Sequence, residues 1–428
     1  MESAVLFGSF MVMLMIGVPI GFAIGLSVLF TMATLTNMKL ILVAHQSLNA
    51  VDSFPLMAIP FFMLAGNIMS TGGVAKRLVD LANALFGFLA GGLAVVGTAT
   101  SMFFGAISGS AVATTSAVGS FLIPEMKKQK YDVAFSAASV AAAGTVGVII
   151  PPSIPLVIYA VVVGGSVVDL FIAGIIPGIL MGLSLIIANI LMCKKMGIKG
   201  TGKAPSLKEV GRTFWAAIPA LMAPVIILGG IYSGYFTPTE AAVVAVIYSA
   251  LVGAFVYREL TWKSLYKALY DSIIVNGVTT FMVGLSGAFA IFLTMQHIPT
   301  DLAKMMLELT DNKFLILLMI NVFLLLVGMF VDNIPATIIL SPIFLPVVAA
   351  LGIGPTQLGL IITMNLAIGF ITPPYGINLF VASAVADVPI EKMARPSMWM
   401  IVALLVVLML VTYVPQTTMF LVDLMKAR

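Results

Sequence analysis

Long runs without a single charged side chain set the terms for this sequence. They cover residues 3–38, 53–75, 81–124, 133–168, 170–193, 213–239, 241–257, 272–296 and 396–422, and the stretch 314–386 is interrupted only by Asp332. About 20 apolar residues let a helix cross a bilayer. The runs 81–124 and 133–168 are therefore too long for one straight crossing, and 314–386 must hold several elements. The chain is 61% hydrophobic and 9% charged, where soluble proteins carry about 25% charged residues. A water-soluble fold needs more polar surface than these residues supply. An all-α integral membrane protein follows.

The remaining composition excludes several chemistries. Two His and the single Cys193 leave little for metal or thiol chemistry and no disulfide framework. The net charge of +4 comes from short basic clusters between apolar runs, which does not suit nucleic acid. The N-terminus lacks the basic-then-apolar pattern of a cleaved signal peptide. The longest polar linker runs from Lys194 to Arg212, so no soluble domain is expected. Residues 70–80, with Gly72, Gly73, Lys76 and Arg77, read as an arm lying on the membrane surface.

Lys and Arg alone give a topology. With the N-terminus in the cytoplasm, and with 81–124 and 314–350 as re-entrant hairpins, five loops fall inside. These lie around 76–77, 127–130, 194–212, 258–267 and 392–395, and hold 16 of the 21 basic residues. Lys39, Lys304, Lys313, Lys426 and Arg428 fall outside. That asymmetry is what the positive-inside rule expects, and the reversed orientation contradicts it.

A shift of 222 positions exposes an internal repeat. It pairs Thr115 with Thr337, Pro124 with Pro346, Gly147 with Gly369, Ile149 with Ile371, and Pro151-Pro152 with Pro373-Pro374. A shared Gly-x-Ile-x-Pro-Pro inside two apolar runs argues for duplication rather than two unrelated proline kinks. Lys127, Lys128 and Lys130 follow the first copy, while residues 349–352 after the second carry no charge, so the copies point in opposite directions. Repeat one spans 1–212, with hairpin 81–127 and broken helix 133–168. Repeat two, with a linking helix, spans 213–428, with hairpin 314–350 and broken helix 356–386. Inverted repeats with broken helices in matching places are the pattern of secondary transporters, whose sites lie at the midplane.

Pro lacks the backbone donor and clashes with the preceding turn, so both Pro-Pro pairs must unwind their helices. Unwound backbone inside a bilayer survives only against protein or a wet cavity. Freed carbonyls suit a hard cation such as sodium, and half-helix N-termini attract an anion. The first hairpin tip, Ile107-Ser108-Gly109-Ser110-Ala111, is small and rich in hydroxyls. Its counterpart near Phe330-Val331-Asp332-Asn333-Ile334-Pro335 carries the lone carboxylate of 314–386, a functional candidate by its position in the membrane.

Five further stretches stand out: Ala58-Ile59-Pro60-Phe61-Phe62 with Ala65-Gly66-Asn67, Phe103-Phe104-Gly105-Ala106-Ile107-Ser108-Gly109-Ser110, Ile150-Pro151-Pro152-Ser153, Ala173-Gly174-Ile175-Ile176-Pro177-Gly178, and Thr237-Pro238-Thr239-Glu240-Ala241-Ala242. In these motifs the sequence resembles the large membrane subunit (DctM family) of tripartite ATP-independent periplasmic, or TRAP, transporters. The resemblance implies an elevator-type architecture of the ion-transporter superfamily, with a scaffold and a moving transport domain. It implies sodium (Na+) as coupling ion, a small four-helix membrane subunit as a separate chain, a periplasmic substrate-binding protein, a small anionic solute, and the bacterial inner membrane.

Carried over by position, the resemblance puts one sodium site at Ser108, Gly109 and Ser110 with the Gly147–Ile150 break. The other falls at Asp332 and Asn333 with the Gly369–Thr372 break. Substrate is expected between them, near Asn365, Thr372, Pro373, Asn378 and Ser153. None of these segments holds an Arg, so helix N-termini, hydroxyls, amides and sodium must bind the anion. Sialic acid and C4-dicarboxylates both remain open. A membrane enzyme finds no support, since His45 and His297 lack partners at ligand spacing. A stand-alone exchanger of the same architecture is the nearer rival, and the Ser-Gly-Ser and Thr-Pro-Thr-Glu stretches argue against it.

Overall fold

The computed structural model describes residues 2–36, 38–198, 206–310 and 312–427. Part of the expected polar linker, residues 199–205, lies outside them, as does Arg428 of the outer basic set. Among the described residues every regular element is helical. Seven helices among the described residues are long and apolar enough to cross a membrane: Phe54–Thr71, Val167–Lys195, Leu207–Tyr232, Pro238–Val256, Trp262–Met295, Asn333–Ala350 and Ile390–Tyr413. The shorter apolar helices build hairpins and broken crossings.

The repeat holds at the level of elements. The helix Ala111–Lys128, moved by 222 positions, falls on Asn333–Ala350. Gly92–Ser108 matches Lys313–Gly328, and the half-helices Val133–Thr145 and Ile154–Val163 match Pro355–Gly369 and Ile377–Ala386. Both Pro-Pro bonds are cis. The chain is thus an inverted repeat with two re-entrant hairpins and two broken helices.

Three expected boundaries move. The apolar run 3–38 divides into Glu2–Met15 and Ile20–Leu35, because Gly17 and Pro19 cannot sustain one helix. The first hairpin begins at Gly92, not near 81, since the arm continues as the helix Val74–Phe86. That arm buries Val74, Ala75, Leu78, Leu81 and Ala82 and leaves Lys76 and Asp80 exposed, the single-faced pattern of a surface-lying helix. Where a loop with Lys304 was expected, a second amphipathic helix, Ile298–Leu309, buries Pro299, Ala303 and Met306. It is the counterpart of the first arm in repeat two.

Packing interleaves the two repeats. Ala111–Lys128 packs on Ile377–Ala386, the far half of the other repeat's broken helix, and Asn333–Ala350 packs on Ile154–Val163 in the same way. Helix Trp262–Met295 lies against Ile20–Leu35, Ile41–Val51, Ala58–Thr71 and Asn333–Ala350. Each hairpin also crosses its own broken helix at a glycine pair. A Cβ on Gly105 would lie 2.5 Å from the Gly147 Cα, and one on Gly328 would lie 3.4 Å from the Gly369 Cα. These crossings bring unwound backbone and hairpin into direct contact.

Two buried amide networks tie each repeat together. Asn189 accepts from the Ser139 hydroxyl at 3.0 Å and donates to Thr98 Oγ1 at 3.0 Å. In repeat two, Asn365 Nδ2 donates to Asn321 Oδ1 at 2.7 Å, and Asn321 Nδ2 donates to Thr412 Oγ1 at 3.1 Å. Each network joins the hairpin's first helix, the broken helix or its neighbour, and the long helix that follows.

Replacing Gly105 with Val forces a branched side chain into the Gly105–Gly147 crossing. The expected cost is about 1–3 kcal/mol of overpacking, read as a lower thermal midpoint in detergent. Gly229→Ala, on a helix with nothing within 4 Å of the added Cβ, is expected to leave the midpoint unchanged or raise it. Equal midpoints for Gly105→Val and the parent would show that the crossing is loose.

Candidate functional site

The hairpin tips and the breaks meet around one cavity of about 460 Å³. Ser108, Gly109 and Ser110 of the first tip and Asp332 and Asn333 of the second line it, together with Val148, Ile154, Phe370 and Ile377 beside the two breaks. The opposite wall is formed by Met63, Gly66 and Asn67 of helix Ala58–Thr71 and by Asp271, Val275, Val278, Thr279 and Met282 of helix Trp262–Met295. The latter residues recur at helical spacing, so one face of that helix looks into the cavity.

The first tip is a knot of oxygens. Gly109 turns the chain with φ +61°, a conformation open to glycine without a Cβ penalty. The Ser110 side chain then caps helix Ala111–Lys128 by accepting from the Ala113 N–H at 3.3 Å. Thr114 Oγ1 donates to the Ser110 carbonyl at 2.7 Å and lies 3.0 Å from Ser108 Oγ. Ile154 N, at the start of the half-helix after the break, donates to the Gly109 carbonyl at 3.3 Å. The tip is thereby fastened to the break.

The second tip is built around a carboxylate. Asp332 caps helix Asn333–Ala350 by accepting from the Asn333 N–H at 2.8 Å, and its side chain is half-buried at the cavity wall. Asn333 is 2% exposed; its Oδ1 accepts from Thr337 Oγ1 at 2.9 Å, and its Nδ2 has no partner among the described residues.

The structure brings five of the expected residues together at the cavity: Ser108, Gly109, Ser110, Asp332 and Asn333. The others stand behind its wall. Gly147 packs against Gly105 and the Thr114 hydroxyl, and Ile150 against Gly178. Gly369 lies against Gly328. Ser153 is fully buried, donating to the Val148 carbonyl at 2.5 Å and accepting from the Leu156 N–H. Asn378 Nδ2 donates to the Ala141 carbonyl at 3.1 Å, which joins the two broken helices. Asn365 belongs to the Asn321–Thr412 network, and Thr372 Oγ1 returns to the Ile368 carbonyl at 2.8 Å. Pro373 does not line the cavity, nor do His45 and His297.

Sequence reasoning missed Asp271, Thr114 and Thr279. Asp271 served only to mark where an apolar run begins, yet its helix starts at Trp262 and carries it to the cavity wall. Asn67, quoted as part of a motif, donates to Ser272 Oγ at 2.8 Å and so pins the two wall helices to each other. The cavity lining therefore holds two carboxylates, several hydroxyls and amides, and no Lys or Arg. Clustered hydroxyl and carbonyl oxygens of this kind suit a hard monovalent or divalent cation.

The family described as the tripartite ATP-independent periplasmic transporter, DctM component, matches residues 7–417. The isethionate TRAP transporter permease protein DctMQ of Oleidesulfovibrio alaskensis is 45% identical over 416 residues, which cover 97% of this chain and 66% of that longer protein. The C4-dicarboxylate TRAP transporter large permease protein DctM of Pseudomonas aeruginosa is 43% identical over 373 residues, 86% of each chain. The sialic acid TRAP transporter large permease protein SiaM of Vibrio cholerae is 37% identical over 413 residues, 96% of each. In fold, the chain is similar to the YdaH transporter of Alcanivorax borkumensis, with a TM-score of 0.63, 14% identity and 86% of each chain covered. A match across nearly the whole chain, with relatives at these identities, places it in the DctM-component family of tripartite ATP-independent periplasmic transporters.

Proposed function

We propose that this permease imports a small organic anion of the sialic acid or C4-dicarboxylate class by sodium symport. The observation that carries the reading is the charge inventory of the cavity: Asp332 and Asp271 with no Lys or Arg. A pair of like charges 4 Å apart repels by about 1 kcal/mol in bulk water and about 4 kcal/mol at the effective dielectric near a protein surface. An anion entering alone meets that repulsion from two carboxylates. Sodium bound at the tips reverses the sign of the local field and lets carboxylate and substrate share the cavity.

The ion sites follow from the oxygens available. Ser108, Gly109, Ser110 and Thr114, with carbonyls of the Gly147–Ile150 break, form the first. Asp332 and Asn333, with the Gly369–Thr372 break, form the second, which makes at least two sodium ions per cycle. The substrate lies between the tips, beside Asn333, whose buried Nδ2 has no partner among the described residues. Asn365, Thr372, Pro373, Asn378 and Ser153 shape the wall behind it. The relatives named above carry isethionate, C4-dicarboxylate and sialic acid in their names, all acids ionised at neutral pH.

Transport then proceeds by elevator motion, the hairpin-bearing body sliding along the wall helix Trp262–Met295. A small membrane subunit steadies the wall, and a periplasmic binding protein delivers the solute. The permease sits in the bacterial inner membrane with its N-terminus in the cytoplasm, as the basic loops favour.

Reconstitution into proteoliposomes with the small subunit and binding protein tests the coupling. Replacing external sodium by potassium or choline is expected to abolish concentrative uptake of labelled sialic acid or succinate; unchanged uptake would reject sodium symport. The purified permease without its partners is expected to give no saturable uptake, and robust uptake by it alone would favour an independent exchanger.

Asp332→Ala should insert and fold, because it removes a carboxylate that is costly to desolvate. Its uptake should fall about ten-fold or more, the effect of roughly 1.4 kcal/mol on a barrier, with Asp332→Asn intermediate. Near-normal uptake by the Ala variant at matched expression would make Asp332 a cap and nothing more.

A further inference from the structure

Helices Val167–Lys195 and Ile390–Tyr413 pack side by side, and both reach the basic face of the protein, one ending there and the other starting there. Lys194 and Lys195 close the first helix. Lys392 and Arg395 lie in the first turns of the second, and Arg395 sits one turn before Trp399. All four cations are exposed, and among the described residues none forms an ion pair. Lys195 Nζ lies 5.5 Å from the centre of the Trp399 ring, which fixes an ammonium and an indole at the same depth. Indole rings at that level belong to the headgroup belt of a bilayer.

Beneath the cations, each helix exposes a strip of aliphatic side chains. Four residues apart, Leu191, Ile187, Leu183 and Ile179 form an exposed ridge that descends from Lys195 and winds slowly about the helix. Val402, Val406 and Leu410 descend from Trp399 on the other and are likewise exposed. The surface is therefore amphiphilic in one direction: four cations with no ion pair among the described residues, Lys195 level with an indole, then an aliphatic strip on each helix.

We propose that this surface is a binding site for an anionic glycerophospholipid. Its phosphate rests among Lys194, Lys195, Lys392 and Arg395, and its two acyl chains lie along the two strips. The charge pattern selects the headgroup, since a zwitterionic lipid brings no net negative charge to four cations that lack carboxylate partners. The length of each strip selects a lipid over a soluble phosphate, which would leave the aliphatic side chains unused. This site is remote from the cavity and stands whatever solute the permease carries.

The test is lipid retention and stabilisation of the purified permease, measured by native mass spectrometry and by thermal midpoint with added vesicles. Phosphatidylcholine vesicles with phosphatidylglycerol are expected to raise the midpoint above that in phosphatidylcholine alone, with phosphatidylglycerol retained on the protein. Lys195→Gln and Arg395→Gln should each weaken the apparent affinity for phosphatidylglycerol about five-fold, which corresponds to about 1 kcal/mol per basic residue near an anionic surface. The charge-keeping pair Lys195→Arg and Arg395→Lys should restore it, and Trp399→Leu should lower it. Four results would overturn the proposal. These are equal stabilisation by phosphatidylcholine, the full shift from glycerol phosphate alone, unchanged retention in the Gln variants, or an equal loss from Lys127→Gln with Lys130→Gln, distant from the strips.

Discussion

A bilayer interior offers no water to an unpaired backbone group, and this fold is arranged around two places where the backbone comes unpaired. At Pro151-Pro152 and Pro373-Pro374 the helical ladder stops, and each freed group needs a partner within the protein. The first break is served by Ser153, whose hydroxyl takes the Val148 carbonyl at 2.5 Å, and by the hairpin tip, whose Gly109 carbonyl accepts from Ile154 N. The second is served by Asn378, whose backbone N–H donates to the Phe370 carbonyl at 3.0 Å while its side chain reaches Ala141. Ser153 and the Asn378 backbone thus help to repair the breaks, while the buried side-chain oxygens of Asn378 and Asn365 keep no partner among the described residues.

The interleaving of the repeats follows from the same need. A broken helix cannot stand alone in lipid, so each far half is covered by the other repeat's hairpin: Ile377–Ala386 by Ala111–Lys128, and Ile154–Val163 by Asn333–Ala350. Both tips are thereby brought to one cavity, and the two copies, unlike in their tips, face each other across it. Hydroxyls gather at Ser108–Ser110 and a carboxylate at Asp332. The asymmetry gives one cavity two kinds of oxygen, and the wall helix adds Asp271 from outside the hairpins.

Much of this was legible in the sequence, for a physical reason. Gly-x-Ile-x-Pro-Pro has few uses inside a membrane, so its recurrence at 222 positions located both breaks, and the spacing then carried over to whole helices such as Ala111–Lys128 and Asn333–Ala350. The tips were legible because Ser-Gly-Ser and a lone Asp stand out against apolar surroundings. Boundaries set by charge were less faithful. Absence of charge reports immersion in hydrocarbon, not helical continuity, so the break at Gly17–Pro19 and the arm's extension to Phe86 were hidden. Presence of charge was read as the end of a span, and this concealed Asp271, which lies well inside helix Trp262–Met295. The second arm, Ile298–Leu309, was masked because its apolar face is short and its charges resemble those of a loop.

On the proposed sodium symport, the two carboxylates facing a cavity with no Lys or Arg in its described lining make anion binding conditional on bound sodium. Linkage turns this into a single measurement: the apparent affinity of the reconstituted assembly for its solute as a function of sodium concentration at constant ionic strength. With one sodium at each tip, the logarithm of affinity is expected to rise with the logarithm of sodium concentration with a limiting slope of about two. An affinity independent of sodium, with potassium as the replacement ion, would contradict it.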